Sequence, residues 1–189
     1  FSLLENAIVN YTMTGEIPQR QGNIDPSIAP FDIFEARDGY IAIGVGNDRL
    51  FQEFCQVIGH KELLDDPRYE TNELRCKNYK QGLQQTIQNW IGQKTKKEVE
   101  EIFDKGGIPC GPVLNMKEAI EHPHIQAREM MVHCEHPTIG EMYFQGCPVK
   151  LSKTPPAVAA PAPLLGQHNK EIFELGEEEY DMLRTEGVI

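Results

Sequence analysis

The chain has 189 residues, a length that suits one domain or two small ones. Hydrophobic residues make up 40% of it and charged residues 25%, which argues against a disordered or fibrous protein. With 18 basic and 29 acidic residues the net charge is −11. An acidic surface repels phosphates and anionic membranes, so neither nucleic acid nor a membrane is expected as a partner.

The first predicted element is an amphipathic helix with Leu4, Ile8 and Tyr11 on one side. It begins without a cap, and no basic or cleavable targeting segment precedes it. We therefore expect the chain to be processed or to be part of a longer protein. No apolar run approaches the ~18 residues that span a bilayer, so no membrane span is expected.

A loop and a hairpin come next. Residues 15–30 contain two glycines and three prolines and are predicted to be an extended loop. The alternating segments 31–36 and 41–46 flank an Asp38-Gly39 turn, and Asp-Gly between two such runs is a strong hairpin signal. The sequence therefore predicts an antiparallel pair of strands here.

Helices are predicted for most of the following seventy residues. Asn47 or Asp48 is placed to cap a helix directly after the hairpin, and residues 62–92 predict two or three short helices. Two capping boxes predict the starts of two further helices. They pair Thr95 with Glu98 and Asn115 with Glu118.

The last part of the chain changes to strands and then to a connector. Segments 131–135, 141–144 and 149–151 have strand patterns, and we expect them to join the hairpin in one antiparallel sheet. Residues 153–163 contain four prolines and predict a polyproline-like connector, which leads to a helical segment over 169–189. Together the elements predict an α+β fold: a small domain with an antiparallel sheet and surrounding helices, a proline-rich connector and a C-terminal helical segment.

Five widely spaced cysteines are present, and no two of them form a Cys-x-x-Cys pair: Cys55, Cys76, Cys110, Cys134 and Cys147. An odd number of unpaired cysteines predicts free thiols in a reducing compartment, so a cytoplasmic protein is expected. Cys110 has prolines on both sides and no base near it in the sequence. We interpret it as part of a rigid turn and not as a nucleophile.

The candidate metal ligands are His122, His124, Cys134 and His136. Their positions match none of the standard ligand spacings, so no metal is expected. We interpret the histidines as hydrogen-bonding residues of two His-Pro turns. The sequence also lacks a phosphate-binding loop and a Gly-x-Ser-x-Gly nucleophile elbow, so the residues alone predict no self-contained active site.

Seven short motifs follow one another over nearly the whole chain. They are Ala29-Pro30-Phe31, Asp38-Gly39-Tyr40, Asp66-Pro67-Arg68-Tyr69, residues 107–113, His136-Pro137 with Gly140, residues 146–152 and residues 163–168. Each is weak alone, but their combination and order resemble the class III CoA-transferases. This is the carnitine dehydratase-like family that includes formyl-CoA transferase, carnitine CoA-transferase and the α-methylacyl-CoA racemases.

The resemblance implies a domain plan and a place for the catalytic residue. Family members have a Rossmann-like large domain and an aspartate that forms acyl anhydride and CoA-thioester intermediates. That nucleophilic aspartate is expected upstream of Phe1, so this chain is expected to supply no catalytic residue. The implied parts are a helix and connector from a large domain, a small α+β domain, a proline-rich connector, and a helical segment returning to the large domain. Their bounds are 1–30, 31–152, 153–168 and 169–189.

One segment is predicted to face the substrate because of its position in the family. It consists of Gly22, Asn23, Ile24, Asp25 and Pro26. Formyl-CoA transferases hold a mobile glycine-rich loop at this place. Here residues 22–30 contain one glycine and two prolines. Because proline restricts the backbone and glycine frees it, a stiffer segment than that loop is expected. A plain connector into the hairpin is the alternative interpretation.

The resemblance also implies the partners. Coenzyme A is expected as the acyl-CoA substrate, with a carboxylic acid as the second substrate and with no metal. Two chains are expected to form a homodimer, which is interlocked in the family. Two alternatives stay open: an acyl-CoA racemase that uses a His/Asp base pair, and a non-catalytic domain for folding or dimerisation.

Overall fold

The computed structural model describes Leu4 and residues 6–189, and it divides by its contacts into two units between Val113 and Leu114. Of the predicted first helix, Phe1 and Glu5 lie outside the described residues. The division falls inside the predicted small domain, and the predicted domain bounds stay a prediction. Each unit is considered by itself.

Among its described residues, the first unit contains five α-helices and a sheet of three strands, with short 3₁₀ turns at Lys61–Leu64, Pro67–Tyr69 and Tyr79–Gln81. The helices are α1 (Asn6–Thr14), α2 (Asp48–Ile58), α3 (Asn72–Asn78), α4 (Leu83–Ile91) and α5 (Lys96–Gly106), and the strands are β1 (Phe31–Ala36), β2 (Gly39–Gly44) and β3 (Cys110–Pro112).

The sheet has the order β1-β2-β3 and is antiparallel throughout. The predicted hairpin is present, with Phe31 opposite Gly44 and Ala36 opposite Gly39. The third strand was not predicted, because Cys110–Pro112 is too short to show alternation and its prolines favour a turn. A proline is acceptable there because an edge strand needs fewer donors.

The core of this unit lies between the sheet and the helices. Alternate residues of the strands point into it, and helices contribute one apolar face each. Its buried members include Phe34, Ile41 and Ile43 from the sheet, Phe54 and Ile58 from α2, Leu83, Ile87 and Ile91 from α4, and Val99 and Phe103 from α5.

Side-chain caps fix where these helices start. Asn47, not Asp48, caps α2, since its side chain accepts the backbone N–H of Leu50. The predicted capping box of Thr95 and Glu98 is present at the start of α5. These caps use donors that the first helical turn leaves unpaired.

The second unit contains four short helices and a two-stranded sheet. The elements are α6 (Met116–Glu121), α7 (Pro123–Ala127), β4 (Met131–His136), β5 (Gly140–Gln145), α8 (Asn169–Ile172) and α9 (Glu177–Thr185). The second predicted capping box, Asn115 with Glu118, starts α6. In residues 114–189, all of which the structure describes, no side chain belongs to the buried hydrophobic cluster.

The single sheet expected from the sequence is wrong. Strands β4 and β5 pair only with each other, separately from the three-stranded sheet. The third segment of that prediction, 149–151, is not a strand. Pro148, directly before this segment, has no N–H with which to pair in a sheet. The N–H of Gly146 donates to the carbonyl of Met130 at 2.8 Å, and the strand pairing ends there.

The predicted α+β class, with antiparallel sheets and surrounding helices, is confirmed. Residues 153–163 have no helix or strand, as expected for a proline-rich connector. Across the part of the chain that the structure describes, none of the helices has the length and apolar character to cross a membrane.

Candidate functional site

The predicted substrate-facing segment lines a cavity of about 750 Å³ in the first unit. We call it the α1 cavity, because α1 forms one wall and the loop between α1 and β1 forms the other. Gly22, Ile24, Asp25 and Pro26 are among its lining residues, and Asn23 is not. The structure therefore brings four of the five predicted residues together around one space.

The α1 cavity has a mixed apolar and polar lining, and its described lining residues carry no positive charge. Asn6 and Asn10 of α1 and Gln21 of the loop contribute amides, while Glu16 and Asp25 contribute carboxylates. Among its described lining residues there is no lysine or arginine. Such a wall suits hydrogen bonding to an uncharged part of a ligand, and it would repel the phosphates of coenzyme A.

Asp25 is occupied by the loop itself. Its Oδ1 accepts the N–H of Ser27 at 2.7 Å, the hydroxyl of Ser27 at 2.7 Å and the N–H of Ile28 at 3.1 Å. Its own N–H donates to the carbonyl of Phe31 at 3.0 Å. This is the geometry of an Asx turn, in which the carboxylate stabilises the backbone of the following residues.

The next residues of the loop are bound by a helix far away in sequence. Asn72, the first residue of α3, donates from Nδ2 to the carbonyl of Ser27 at 2.7 Å and accepts the N–H of Ala29 at 3.1 Å. Arg75, one turn later, donates from Nε to the carbonyl of Ala29 at 2.9 Å. Two side chains on one face of α3 thus bind the backbone of the loop.

Arg75 is one of two buried charged side chains among the described residues, with Asp32 as the other, and its exposure is 1%. Its other nitrogens donate to the carbonyl of Tyr69 at 3.2 Å and to the carboxylate of Asp48 at 2.6 Å. Its guanidinium lies 4.4 Å from the centre of the Phe51 ring. Every face of the guanidinium is therefore in contact with protein, as a buried charge requires.

The carboxylate of Asp32 is buried under the hairpin. Asp32 points inward from β1 and accepts from the Gln84 amide at 2.8 Å and the Tyr79 hydroxyl at 3.3 Å. Burial, followed by the charge of Asp32, raises the pKa of Tyr79 well above its usual range. Both groups are fully partnered inside the core, so their role is structural.

Cys55 and Cys110 do not have the properties of nucleophiles. Burial, followed by the charges of Asp104 and Glu100, raises the pKa of Cys110 to about 11. Burial also raises the pKa of Cys55 to about 12. A thiol needs a lowered pKa to attack at neutral pH, so both stay protonated. All five cysteines are free.

The histidines take part in local hydrogen bonds of the loops. His122 Nδ1 accepts the N–H of His124 at 3.2 Å, and His136 Nδ1 accepts the N–H of Thr138 at 3.2 Å. Within the described ranges, no group of three or more histidine, cysteine or acidic side chains is arranged to hold a metal ion.

The second unit has a cavity of about 690 Å³ between the sheet and the start of the connector. This cavity is open to solvent and is lined by both polar and apolar residues, among them Lys150, Cys147 and Val158. Lys150 lies 3.9 Å from the carboxylate of Glu129, so its charge is already partly balanced.

Sequence reasoning missed Asn72 and Arg75. The signal was weak: two polar residues three positions apart on a short helix lie on one face, but nothing in the sequence shows what that face meets. Their partners Ser27 and Ala29 are more than forty positions away.

Comparison with known proteins gives a consistent set of relatives. Residues 1–169 match the family model described as CoA-transferase family III. The succinyl-CoA–D-citramalate CoA-transferase of Chloroflexus aurantiacus is 35% identical over 193 residues, covering 100% of this chain and 48% of that protein. The succinyl-CoA:glutarate CoA-transferase of Homo sapiens is 32% identical over 190 residues, covering 98% and 43%.

A solved structure shares the fold. The crystal structure of a CAIB/BAIF family protein from Brucella suis is similar to this chain with a TM-score of 0.76 and 27% identity, covering 92% of this chain and 44% of that one. The chain thus spans less than half the length of the curated relatives that it matches.

Proposed function

Because the chain belongs to CoA-transferase family III, we propose that the complete protein transfers coenzyme A from an acyl-CoA to a carboxylic acid, and that this chain is its C-terminal portion. The observation that carries the proposal is the family match over residues 1–169. Both relatives described above are named as CoA-transferases, which favours transfer over the racemase alternative.

The proposal places the nucleophilic aspartate upstream of Phe1. In the proposed reaction its carboxylate attacks the thioester carbonyl, which forms an acyl-aspartyl anhydride and releases the CoA thiolate. The thiolate then attacks the aspartyl carbonyl, which releases the donor acid and leaves an aspartyl-CoA thioester. The acceptor carboxylate displaces CoA to form a second anhydride, and attack of the thiolate on its acceptor carbonyl gives the new acyl-CoA and frees the aspartate. The bonding of Asp25 supports this assignment, because its carboxylate already accepts three hydrogen bonds within its own loop.

This chain is proposed to supply a wall of the substrate site. Gly22, Ile24, Asp25 and Pro26 face the α1 cavity, whose amides suit the uncharged part of an acyl group or acid. The absence of positive charge among the described lining residues implies that the phosphates of coenzyme A are bound elsewhere in the protein.

Succinyl-CoA is the proposed donor, with a five-carbon dicarboxylic acid as the acceptor. The basis is the names of the two relatives, which pair succinyl-CoA with D-citramalate and with glutarate. A cytoplasmic homodimer is part of the same proposal. Five free cysteines support a reducing compartment.

The test is to measure CoA transfer from succinyl-CoA to glutarate and to citramalate with the complete protein and with the 189-residue chain. We expect turnover by the complete protein and none by the chain alone. Turnover by the chain alone would contradict the upstream position of the nucleophile.

A second assay separates the alternatives. Exchange of the α-proton of a 2-methylacyl-CoA with deuterated water, without CoA transfer, would instead identify a racemase. If neither reaction occurs with the complete protein, the non-catalytic interpretation is left. Size-exclusion chromatography of the complete protein tests the homodimer independently of both assays.

A further inference from the structure

The loop between α1 and β1 has two halves that differ in how they are bound. In residues 15–22 the hydrogen bonds of the described backbone and side chains are all to residues within four positions. Residues 25–30, here called the anchored segment, are bound by Asp25 and by α3. Asp25, Pro26 and Ser27 of the anchored segment also line the α1 cavity.

The contacts from α3 satisfy three backbone groups of the anchored segment. Asn72 donates to the carbonyl of Ser27 and accepts from the N–H of Ala29, and Arg75 donates to the carbonyl of Ala29. Asn72 can do this in only one orientation of its amide, since one partner is an acceptor and the other a donor. A strand pairing beside this segment would use the same two groups, so Asn72 acts in place of a neighbouring strand.

Arg75 fixes the distance between the anchored segment and the rest of the core. Its guanidinium joins the carbonyl of Ala29 to that of Tyr69 and to the carboxylate of Asp48 at the start of α2. It is planar and packed against Phe51, so these partners cannot shift independently of one another.

We propose that Asn72 and Arg75 are positioning residues: they hold the anchored segment in place and so set one wall of the α1 cavity, without touching the ligand that the cavity takes. The positioning itself follows from the contacts of α3. Its effect on substrate binding rests on the proposed function, in which this wall faces an acyl group or acid of the substrates, and the acceptor acid is the one tested below.

The test uses three variants of the complete protein. Asn72→Ala removes both contacts to the anchored segment. Asn72→Asp removes the donor to Ser27 but keeps a side chain that suits the first turn of a helix, so α3 is not weakened. Asn78→Ala is the matched control, because Asn78 is on the same helix and donates to the carbonyls of Arg68 and Leu74 instead.

The first measurement is residue-resolved amide hydrogen exchange at Asp25, Ser27 and Ile28. The partners of these three amides are left untouched by every variant. We expect exchange to become about five- to tenfold faster in Asn72→Ala and Asn72→Asp, the factor that one net hydrogen bond gives, and to stay unchanged in Asn78→Ala. Unchanged exchange in both Asn72 variants, or equal acceleration in the control, would overturn the positioning role.

The second measurement is steady-state CoA transfer. We expect the KM for the acceptor acid to rise about fivefold in Asn72→Ala, with kcat changed by less than about twofold and no change in Asn78→Ala. Faster exchange with unaltered KM and kcat would overturn the effect on substrate binding. If the unsubstituted protein transfers no CoA, the proposed function fails, while the exchange result still decides the positioning role.

Discussion

The two units of the chain are stabilised in different ways. In the first, sheet and helices bury a continuous cluster that includes Ile41, Phe54 and Phe103, each with 0% exposure. In the second, fully described unit, the large apolar side chains are partly or wholly exposed, among them Leu165 at 106% and Phe173 at 60%.

This difference shows that regular secondary structure does not by itself give a unit a core. Both units have capped helices and antiparallel strands, but only one has two layers that cover each other's apolar faces. A unit of that size without a core lacks the main source of folding free energy. We therefore expect the second unit to depend on other parts of the protein for its stability.

The largest expected effect is in hydrogen exchange of the isolated 189-residue chain. Amides of β2, which is paired on both sides and buried, should exchange about a hundredfold or more slowly than those of β4, because local opening is cheap where little is buried. Exchange measured by NMR or mass spectrometry compares both strands in one sample. Equal protection would show that the second unit has a core of its own in solution.

A core substitution should give the next largest effect. Phe54→Ala removes a fully buried ring that packs against Phe51 and Phe103, and it should lower the free energy of unfolding by about 3–5 kcal/mol in urea titrations. Phe173→Ala removes an exposed ring and should cost less than about 0.5 kcal/mol. Similar losses of unfolding free energy in Phe54→Ala and Phe173→Ala would contradict the difference in burial between the two units.

Gly146 of the second unit is tightly packed and should be sensitive to substitution. A Cβ on Gly146 would overlap the carbonyl oxygen of Glu129. Gly146→Ala should therefore lower the free energy of opening of the β4–β5 hairpin by about 1–3 kcal/mol, as measured by hydrogen exchange. Gly176→Ala is the control, since nothing lies within 4 Å of its added Cβ. An effect at both glycines alike would point to a general loss of backbone freedom.

The smallest expected effects come from substitutions in the two capping boxes, which form a closely matched pair of tests. Thr95→Ala removes the cap of α5, which packs into the core, and should cost about 1 kcal/mol of global stability. Asn115→Ala removes the equivalent cap of α6, which has no buried residue. It should speed exchange within α6 and leave the urea midpoint of the first unit unaltered. A shifted midpoint would mean that α6 contributes to that unit's cooperative unfolding.

Features set by neighbours in sequence were predictable. Asp38-Gly39 predicted the hairpin, and Thr95 with Glu98 predicted the start of α5, because a turn or a cap is decided within four residues. The joining of all strands into one sheet was predicted wrongly, since alternation shows that a segment is a strand and does not show its partner.

For the candidate site, the substrate-facing role of residues 22–26 stays a prediction, and the sequence did not show which residues hold this segment. The position of residues 22–26 came from the family resemblance, and the structure places four of them on the α1 cavity. The burial of Arg75 was beyond prediction, because an arginine on a short helix is ordinarily exposed. Only the tertiary arrangement supplies its three oxygen partners.

The binding of the loop by α3 has a consequence for how such a protein can change over generations. Asn72 and Arg75 lie outside the α1 cavity, yet their contacts determine where Ser27 and its neighbours stand. Substitutions on α3 can therefore change the position of the cavity wall while every residue that lines the cavity stays the same. On the proposed function, differences in ligand preference among related chains are then expected to arise from substitutions on α3 as well as in the cavity lining.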